Sequence, residues 1–311
     1  MYSKSILLKA KSILENSVHS TPILKSHLLN ELIGCELFFK CENFQKAGAF
    51  KMRGAMHKLL SLSIEEREKG VATHSSGNFG SALALSAQIL GIPATIIMPS
   101  NAPQVKKNAV AAYGATIIEC EPTLEAREST TAAFIDKSGA TSCHPYNDSQ
   151  VILGNSTAAQ EIFEELIPDA IITPVGGGGL MSGTALACEF FSPSTLAFGA
   201  EPEGADDAFR SIRDGIIHPS INPQTIADGL RTSLGEHTFP IIRDKVEEIF
   251  LVNDDEIKSA MRLIWERMKI IVEPSSAITF AAVLKNKEIF KNQKVALILS
   301  GGNVDLEKFF Q

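Results

Sequence analysis

Apolar positions along the chain fall into two alternating patterns. ELFFKCENF, GVATHSS, ATIIMPS, ATIIECEP, DAIITPVGGGG, TLAFGAEPEG, EEIFLVN and KVALILSGGN are short runs rich in β-branched and aromatic residues, and most end in a loop. Such runs predict buried strands. Between them, NFGSALALSAQILG, QVKKNAVAAYG and the stretch from Leu124 to Lys137 carry helical spacing, with Gly114 placed to end the second helix. The start, MYSKSILLKAKSILENS, has the same spacing. It lacks the sustained apolar run and small-residue cleavage site of a signal peptide, so it reads as a helix. Strand–helix alternation predicts an α/β fold with mostly parallel sheets, flanked by helices and joined by right-handed crossovers.

Two sheet systems are expected. Residues 70–147 hold several complete strand–helix units and form a small domain. Residues 1–69 and 148–311 form the larger domain around it, so the architecture is two-lobed. A chain of 311 residues is long enough for two lobes of about 100–200 residues each.

Composition narrows the class only slightly. The chain is 44% hydrophobic and 21% charged, as globular proteins are. A net charge of -7 without a long like-charge run argues against a nucleic-acid partner. No apolar stretch approaches the roughly 18 residues of a membrane span, so a cytoplasmic protein with no membrane partner is the expectation. Five cysteines, Cys35, Cys41, Cys120, Cys143 and Cys188, make an odd count without a CxxC pair, which favours reduced core thiols.

Five segments carry candidate chemistry. In PVGGGGLMSGTA, Gly176, Gly177, Gly178 and Gly179 lie between a strand and a helix. Glycine lets backbone N–H groups approach an anion, and the helix dipole favours one, so a phosphate fits there better than an idle turn. The loop lacks the G-K-[ST] of nucleotide hydrolases. In THSSGNFG, Ser75, Ser76, Gly77 and Asn78 either cap a helix or bind a polar ligand. KCENFQKAGAFKMRGA offers Lys46 and Lys51, and a lysine shielded beside Phe50 can act as an amine nucleophile, although most lysines are solvated. LILSGGNVD places Ser300 to Asn303 after a strand, where a turn or a ligand site is equally expected. AEPEGADDAF groups Glu201, Glu203, Asp206 and Asp207 in a loop; these are oxygen ligands for a hard cation or simply a solvated acidic loop.

In this order the segments resemble the fold-type II pyridoxal-phosphate enzymes, in particular the serine racemase and serine/threonine dehydratase group. The resemblance runs from STPILKS at residues 20–26 to SGGNVDL at residues 300–306. It implies pyridoxal 5'-phosphate held as a Schiff base on Lys51 rather than Lys46, beside Phe50. It puts Asn78 on the ring hydroxyl, Gly176 to Gly179 on the phosphate, Ser300 at the ring nitrogen and Glu273, in VEPSSA, near the cofactor. It assigns Ser76 as acid/base opposite the lysine, and Ser75, Ser76, Gly77 and Asn78 to the amino-acid substrate. It further implies a Mg²⁺ site (or Ca²⁺ or Mn²⁺) from the carboxylates of Glu201 and Asp207 with the Ala205 carbonyl, and a homodimer. Nucleotide activation by ATP stays open: Tyr113 matches a contact position, whereas His27 and Ser81 differ.

Two departures from the pattern stand out. Phe79 replaces a usual histidine. Leu153, Asn155 and Ser156 alter a segment that usually reads VIAGQGT and is expected as a loop near the substrate. The implied reaction is racemisation of serine together with elimination to pyruvate and ammonia. A threonine or 3-hydroxyaspartate dehydratase, a β-replacement enzyme and a non-catalytic amino-acid sensor are the alternatives.

Overall fold

A computed structural model describes residues 2–75, 77–102 and 104–305. The larger sheet contains β1 (Ile23–Leu24), β2 (Glu36–Cys41), β7 (Ala170–Pro174), β8 (Leu196–Pro202), β9 (Glu248–Val252) and β10 (Lys294–Leu299), in the order β1-β2-β10-β7-β8-β9. Only β1 runs antiparallel. The smaller sheet is all parallel: β3 (Val71–Thr73), β4 (Ala94–Pro99), β5 (Thr116–Cys120) and β6 (Thr141–Ser142), ordered β5-β4-β3-β6. Thus the predicted α/β class, with parallel sheets flanked by helices, is what forms.

The strand sequences explain the layering. Along β10, Val295, Leu297 and Leu299 join one hydrophobic cluster, while Ala296 and Ile298 join the cluster on the opposite face. A central parallel strand buries both faces, which is why these runs read as unbroken apolar segments. The smaller sheet packs Ile96 and Met98 against Phe79 and Leu83, and recruits Ala55, Leu59 and Val151 from outside residues 70–147.

Some local expectations shift. ELFFKCENF is extended only to Cys41, and Glu42–Phe44 is a 3₁₀ turn. Lys51 opens the helix Lys51–Leu60. The altered segment with Leu153, Asn155 and Ser156 is not a loop. It lies inside the helix Ser149–Glu165, capped by Asp148 accepting from Gln150 and Val151 N–H. The connection between β6 and this helix is short, so a stretch rich in Asn, Gly and Ser is carried into the helix by its buried face rather than by its propensity. All five cysteines are free. No helix among the described residues is long and apolar enough to cross a membrane.

Candidate active site

Parallel sheets gather chemistry at the carboxyl ends of their strands. Here β3 leads to Ser75 and Asn78, β7 to the glycine loop, β10 to Ser300, and β2 through a turn to Lys51.

Lys51 is held between the lobes. Its ammonium donates to the Pro145 carbonyl at 2.9 Å. It lies 4.9 Å from the Phe50 ring centre and 5.9 Å from that of Phe79. Burial pulls its pKa from the ordinary 10.5 down to about 8, against the opposing pull of Glu273. A lysine near this value offers a usable fraction of free amine at neutral pH. Lys46, the other lysine of the segment, spends its ammonium on the Ser17 carbonyl at 2.9 Å.

Asn78 opens the helix Asn78–Leu90. Its Nδ2 donates to both oxygens of Glu273, at 2.9 and 3.2 Å. Its Oδ1 accepts from Asn303 at 3.0 Å. Glu273 is 4% exposed, and burial raises its pKa to about 7 despite Asn78. Ser300 is buried, and its hydroxyl donates to the Ser275 carbonyl at 3.3 Å. The Ser300 carbonyl accepts from the Phe50 N–H, which ties β10 to the lysine turn. Ser75 accepts from the Gly77 N–H at 3.4 Å. Ser76 lies outside the described residues.

The four glycines form a buried turn into the helix Gly179–Phe191. Gly178 takes φ 85°, a conformation that favours glycine, and no side chain caps the helix. The N–H groups of Gly176, Gly177, Gly178 and Gly179 have no hydrogen-bond partner among the described residues. Unpaired buried amides at a helix N-terminus fit a phosphate group. Outside the turn, the loop is packed tightly: a Cβ on Gly177 would enter the Tyr146 ring, and one on Gly176 would lie 3.0 Å from the Gly229 carbonyl.

Sequence reading missed the strap at residues 143–148. His144 Nδ1 lies 2.9 Å from the Asn147 nitrogen and 3.3 Å from that of Tyr146, accepting both N–H bonds. The imidazole therefore carries its proton on Nε2 when neutral. Burial, with His74 and Lys51 nearby, lowers its pKa to about 4. The strap thus supplies both the Lys51 acceptor and the ring above the glycine turn. Its signal was the HPYND run, which ordinary turn chemistry also explains.

The acidic segment divides in two. Glu201 ends up in β8 and Asp207 starts the helix Asp207–Asp214, and each is 1% exposed. Glu201 accepts from the Ala208 and Phe209 N–H groups, both at 2.8 Å. The Asp207 carboxylate makes no close hydrogen bond among the described residues; burial raises its pKa to about 6, with the nearby Ser220 hydroxyl pulling the other way. Glu203 and Asp206 instead pair with Lys285 and Arg210. Ala205 is buried within the intervening turn, Glu203–Ala205. Among the described residues no three His, Cys, Asp or Glu side chains cluster as a metal site. A cation there would need a backbone carbonyl or water to complete its shell.

Leu153, Asn155 and Ser156 pack against helices rather than lining an open loop. A Cβ on Gly54 would sit 2.7 Å from Asn155 Oδ1, and the Ser156 backbone abuts Gly183. Phe79, the second departure, is a core residue of the smaller sheet as well as a neighbour of Lys51.

The sequence matches the family described as pyridoxal-phosphate dependent enzyme over residues 14–301. It is 50% identical to a serine racemase of Dictyostelium discoideum over 96% of this chain and 94% of that protein. A beta-hydroxyaspartate dehydratase of Paracoccus denitrificans is 46% identical, over 97% and 96%. The fold superimposes on maize serine racemase with a TM-score of 0.97 and 42% identity, covering 99% of this chain and 96% of that one. The lysine between two rings and the unpaired glycine amides have the chemistry this match requires, and the chain belongs to the pyridoxal-phosphate dependent enzyme family.

Proposed function

We propose that the protein racemises serine and also eliminates it to pyruvate and ammonia, with Lys51 and Ser76 as the proton-handling residues. The observation that carries this reading is that Lys51, Asn78 and the unpaired Gly176–Gly179 amides are joined through shared neighbours: Lys51 feels the Glu273 that Asn78 holds, and bonds Pro145, next to the Tyr146 that covers Gly177. The serine racemases among its relatives supply the substrate class. A dehydratase acting on 3-hydroxyaspartate or threonine is the second reading, favoured by the Paracoccus relative.

The glycine amides would hold the phosphate of pyridoxal phosphate, and Lys51, beside Phe50, would hold it covalently. Asn78 and Ser300 would face its ring polar atoms, with Glu273 behind Asn78. Bound there, the cofactor supplies a conjugated system that accepts the electron pair left at an amino acid's Cα. The Lys51 amine takes the Cα proton on one face. Its lowered pKa makes the free amine accessible at neutral pH. Ser76 gives or takes a proton on the other face, and Ser75, Gly77 and Asn78 contact the substrate beside it. Two proton-handling groups on opposite faces permit inversion, while loss of the Cα proton and the β-hydroxyl together as water gives elimination, and water then converts the resulting enamine to pyruvate and ammonia. Ser300 is a neutral partner, so it does not stabilise a fully protonated ring nitrogen. Departure of the β-hydroxyl then competes well with reprotonation.

The buried Asp207 carboxylate, with Glu201 and the Ala205 carbonyl, would take Mg²⁺ or a similar hard cation. The lobes assigned as 1–69 with 148–311 and as 70–147 follow the membership of the two sheets. A homodimer belongs to the same reading.

The test incubates the holoprotein with L-serine and Mg²⁺ and measures D-serine and pyruvate together. Both products are expected. Pyruvate alone makes the protein a dehydratase with an idle Ser76, and neither product, with turnover of 3-hydroxyaspartate, selects the second reading.

A further inference from the structure

A cluster of four buried charged side chains lies behind the lysine helix, and the proposed chemistry does not use it. Lys40 and Arg53 are both 0% exposed, and Glu42 and Glu161 are buried beside them. Arg53 Nε donates to Glu42 at 2.7 Å, and its two terminal nitrogens donate to Glu161 at 2.6 and 2.8 Å. A further bond reaches the Thr157 hydroxyl at 3.1 Å. Lys40 donates to Glu161 and to the Thr21 carbonyl, each at 2.6 Å. Thr21 donates to Glu42 at 2.5 Å. Two cations and two anions therefore balance, with every carboxylate oxygen engaged. Burial pushes Glu161 up, yet Arg53 and Lys40 hold it below its ordinary value.

A buried ion cluster of this kind is weak evidence for stability, because desolvation offsets much of the Coulomb attraction. Its geometry suggests another purpose. Arg53 lies two residues after Lys51 in the first turn of the helix Lys51–Leu60. Residues two apart on a helix point about 200° away from each other. Anchoring Arg53 into the interior therefore turns Lys51 toward the cleft. This helix start needs an anchor: Phe50 makes no side-chain cap and the first turn contains no acidic residue. The preceding turn is just as closely held. Gln45 exchanges hydrogen bonds with both the N–H and carbonyl of His19, and Arg53 reaches the same carbonyl at 3.3 Å.

We propose that Arg53, gripped by Glu42 and Glu161, is a positioning residue that sets the direction of Lys51 toward the cofactor. The proposal rests on Lys51 as the cofactor lysine. Arg53→Lys keeps the charge but loses the planar fork that serves two carboxylates at once. Thr157→Val removes the bond from Arg53 and the one that the hydroxyl donates to the Gly154 carbonyl within its own helix, and leaves all four charges in place, so it reads the same effect if Arg53→Lys fails to fold.

The experiment adds pyridoxal phosphate to each cofactor-free variant and follows the rate of lysine attachment by absorbance. It then measures kcat, KM and Tm of the holoprotein, and maps the borohydride-reduced cofactor by mass spectrometry. For Arg53→Lys, attachment and kcat are expected to fall about 10- to 100-fold with KM nearly unchanged, up to the scale of effect that a misplaced reacting group produces. Thr157→Val is expected to give a smaller loss of the same pattern. A lower Tm with unchanged attachment rate and kcat, in whichever variants fold, overturns the positioning role. Reduced cofactor found on a residue other than Lys51 instead overturns the lysine assignment, whatever the rates show.

Discussion

The Lys51 ammonium and the Pro145 carbonyl meet at 2.9 Å, joining the lysine helix to the strap that follows β6. That contact orients one lysine of the AFKMRGA segment into the cleft, while Lys46 is consumed by the Ser17 carbonyl. Lys51→Ala should remove the visible absorbance of lysine-bound cofactor and all turnover. Lys46→Ala should keep both, at a stability cost of about 1 kcal/mol for the lost hydrogen bond. Absorbance spectra and urea denaturation of the two variants check this, and a cofactor still attached in Lys51→Ala would overturn the assignment.

The glycine turn and Tyr146 should be energetically coupled. A Cβ on Gly177 would collide with the Tyr146 ring, so Gly177→Ala should cost about 1–3 kcal/mol, as overpacking does. In a Tyr146→Ala background the same substitution should cost much less. A double-mutant cycle on Tm and denaturant midpoint measures the difference. Equal costs in both backgrounds would mean that Gly177 is needed only for its backbone.

These contacts show what could be read from the sequence. Apart from the two-residue strands β1 and β6, which carry no apolar run, the strands of both sheets and the glycine turn were legible, because unbroken apolar runs that end in a loop have few other structural explanations. Lys51 stood out from Lys46 only through resemblance; spacing left both lysines open. The strap was not legible, since the roles of His144 and Tyr146 depend on residues distant in sequence, Lys51 and Gly177. Nor was the helix through Leu153, Asn155 and Ser156, whose small and polar residues suit a turn locally but fit between packed helices. In the acidic segment, four carboxylates looked alike by residue type; the resemblance singled out Glu201 and Asp207, and burial sets that same pair apart from Glu203 and Asp206.

Glu273 should make stability depend on pH. Burial lifts its pKa from 4.5 to about 7 in the folded protein. A raised carboxyl contributes stability that is full below 4.5 and is lost as pH rises through 7. That loss is roughly 3 kcal/mol by linkage. Glu273→Gln stays neutral and should not show it. His144, lowered to about 4, acts with opposite sign, but it does so in both proteins and cancels in the comparison. Urea midpoints of cofactor-free wild type and variant at pH 5 and pH 8 give the result. Parallel pH profiles would place the Glu273 pKa near its ordinary value.

A divalent cation should stabilise the protein through Asp207. Its carboxylate is buried with no close hydrogen bond among the described residues, eased only by the nearby Ser220 hydroxyl and backbone, and a poorly compensated buried polar group costs about 1–3 kcal/mol or more. Millimolar Mg²⁺ should therefore raise Tm, and a chelator should lower it. In Asp207→Asn both responses should vanish, because the hard-cation ligand is gone. A Mg²⁺ response that survives the substitution would locate the cation elsewhere.

Ser76 provides the test of two-sided proton handling. In sequence it precedes Gly77 and the Asn78 that opens the next helix. Removing its hydroxyl leaves Lys51 able to take a proton from one face only. Elimination of L-serine needs only that face, whereas racemisation and turnover of D-serine need the other. Ser76→Ala should thus lower racemisation and D-serine elimination by about 100-fold or more, the scale of general acid–base catalysis. L-Serine elimination should fall by much less. Chiral chromatography of serine, with pyruvate measured from each enantiomer separately, resolves the three rates. If all three fell together, Ser76 would be acting on binding, and the second face would have to be served by another group.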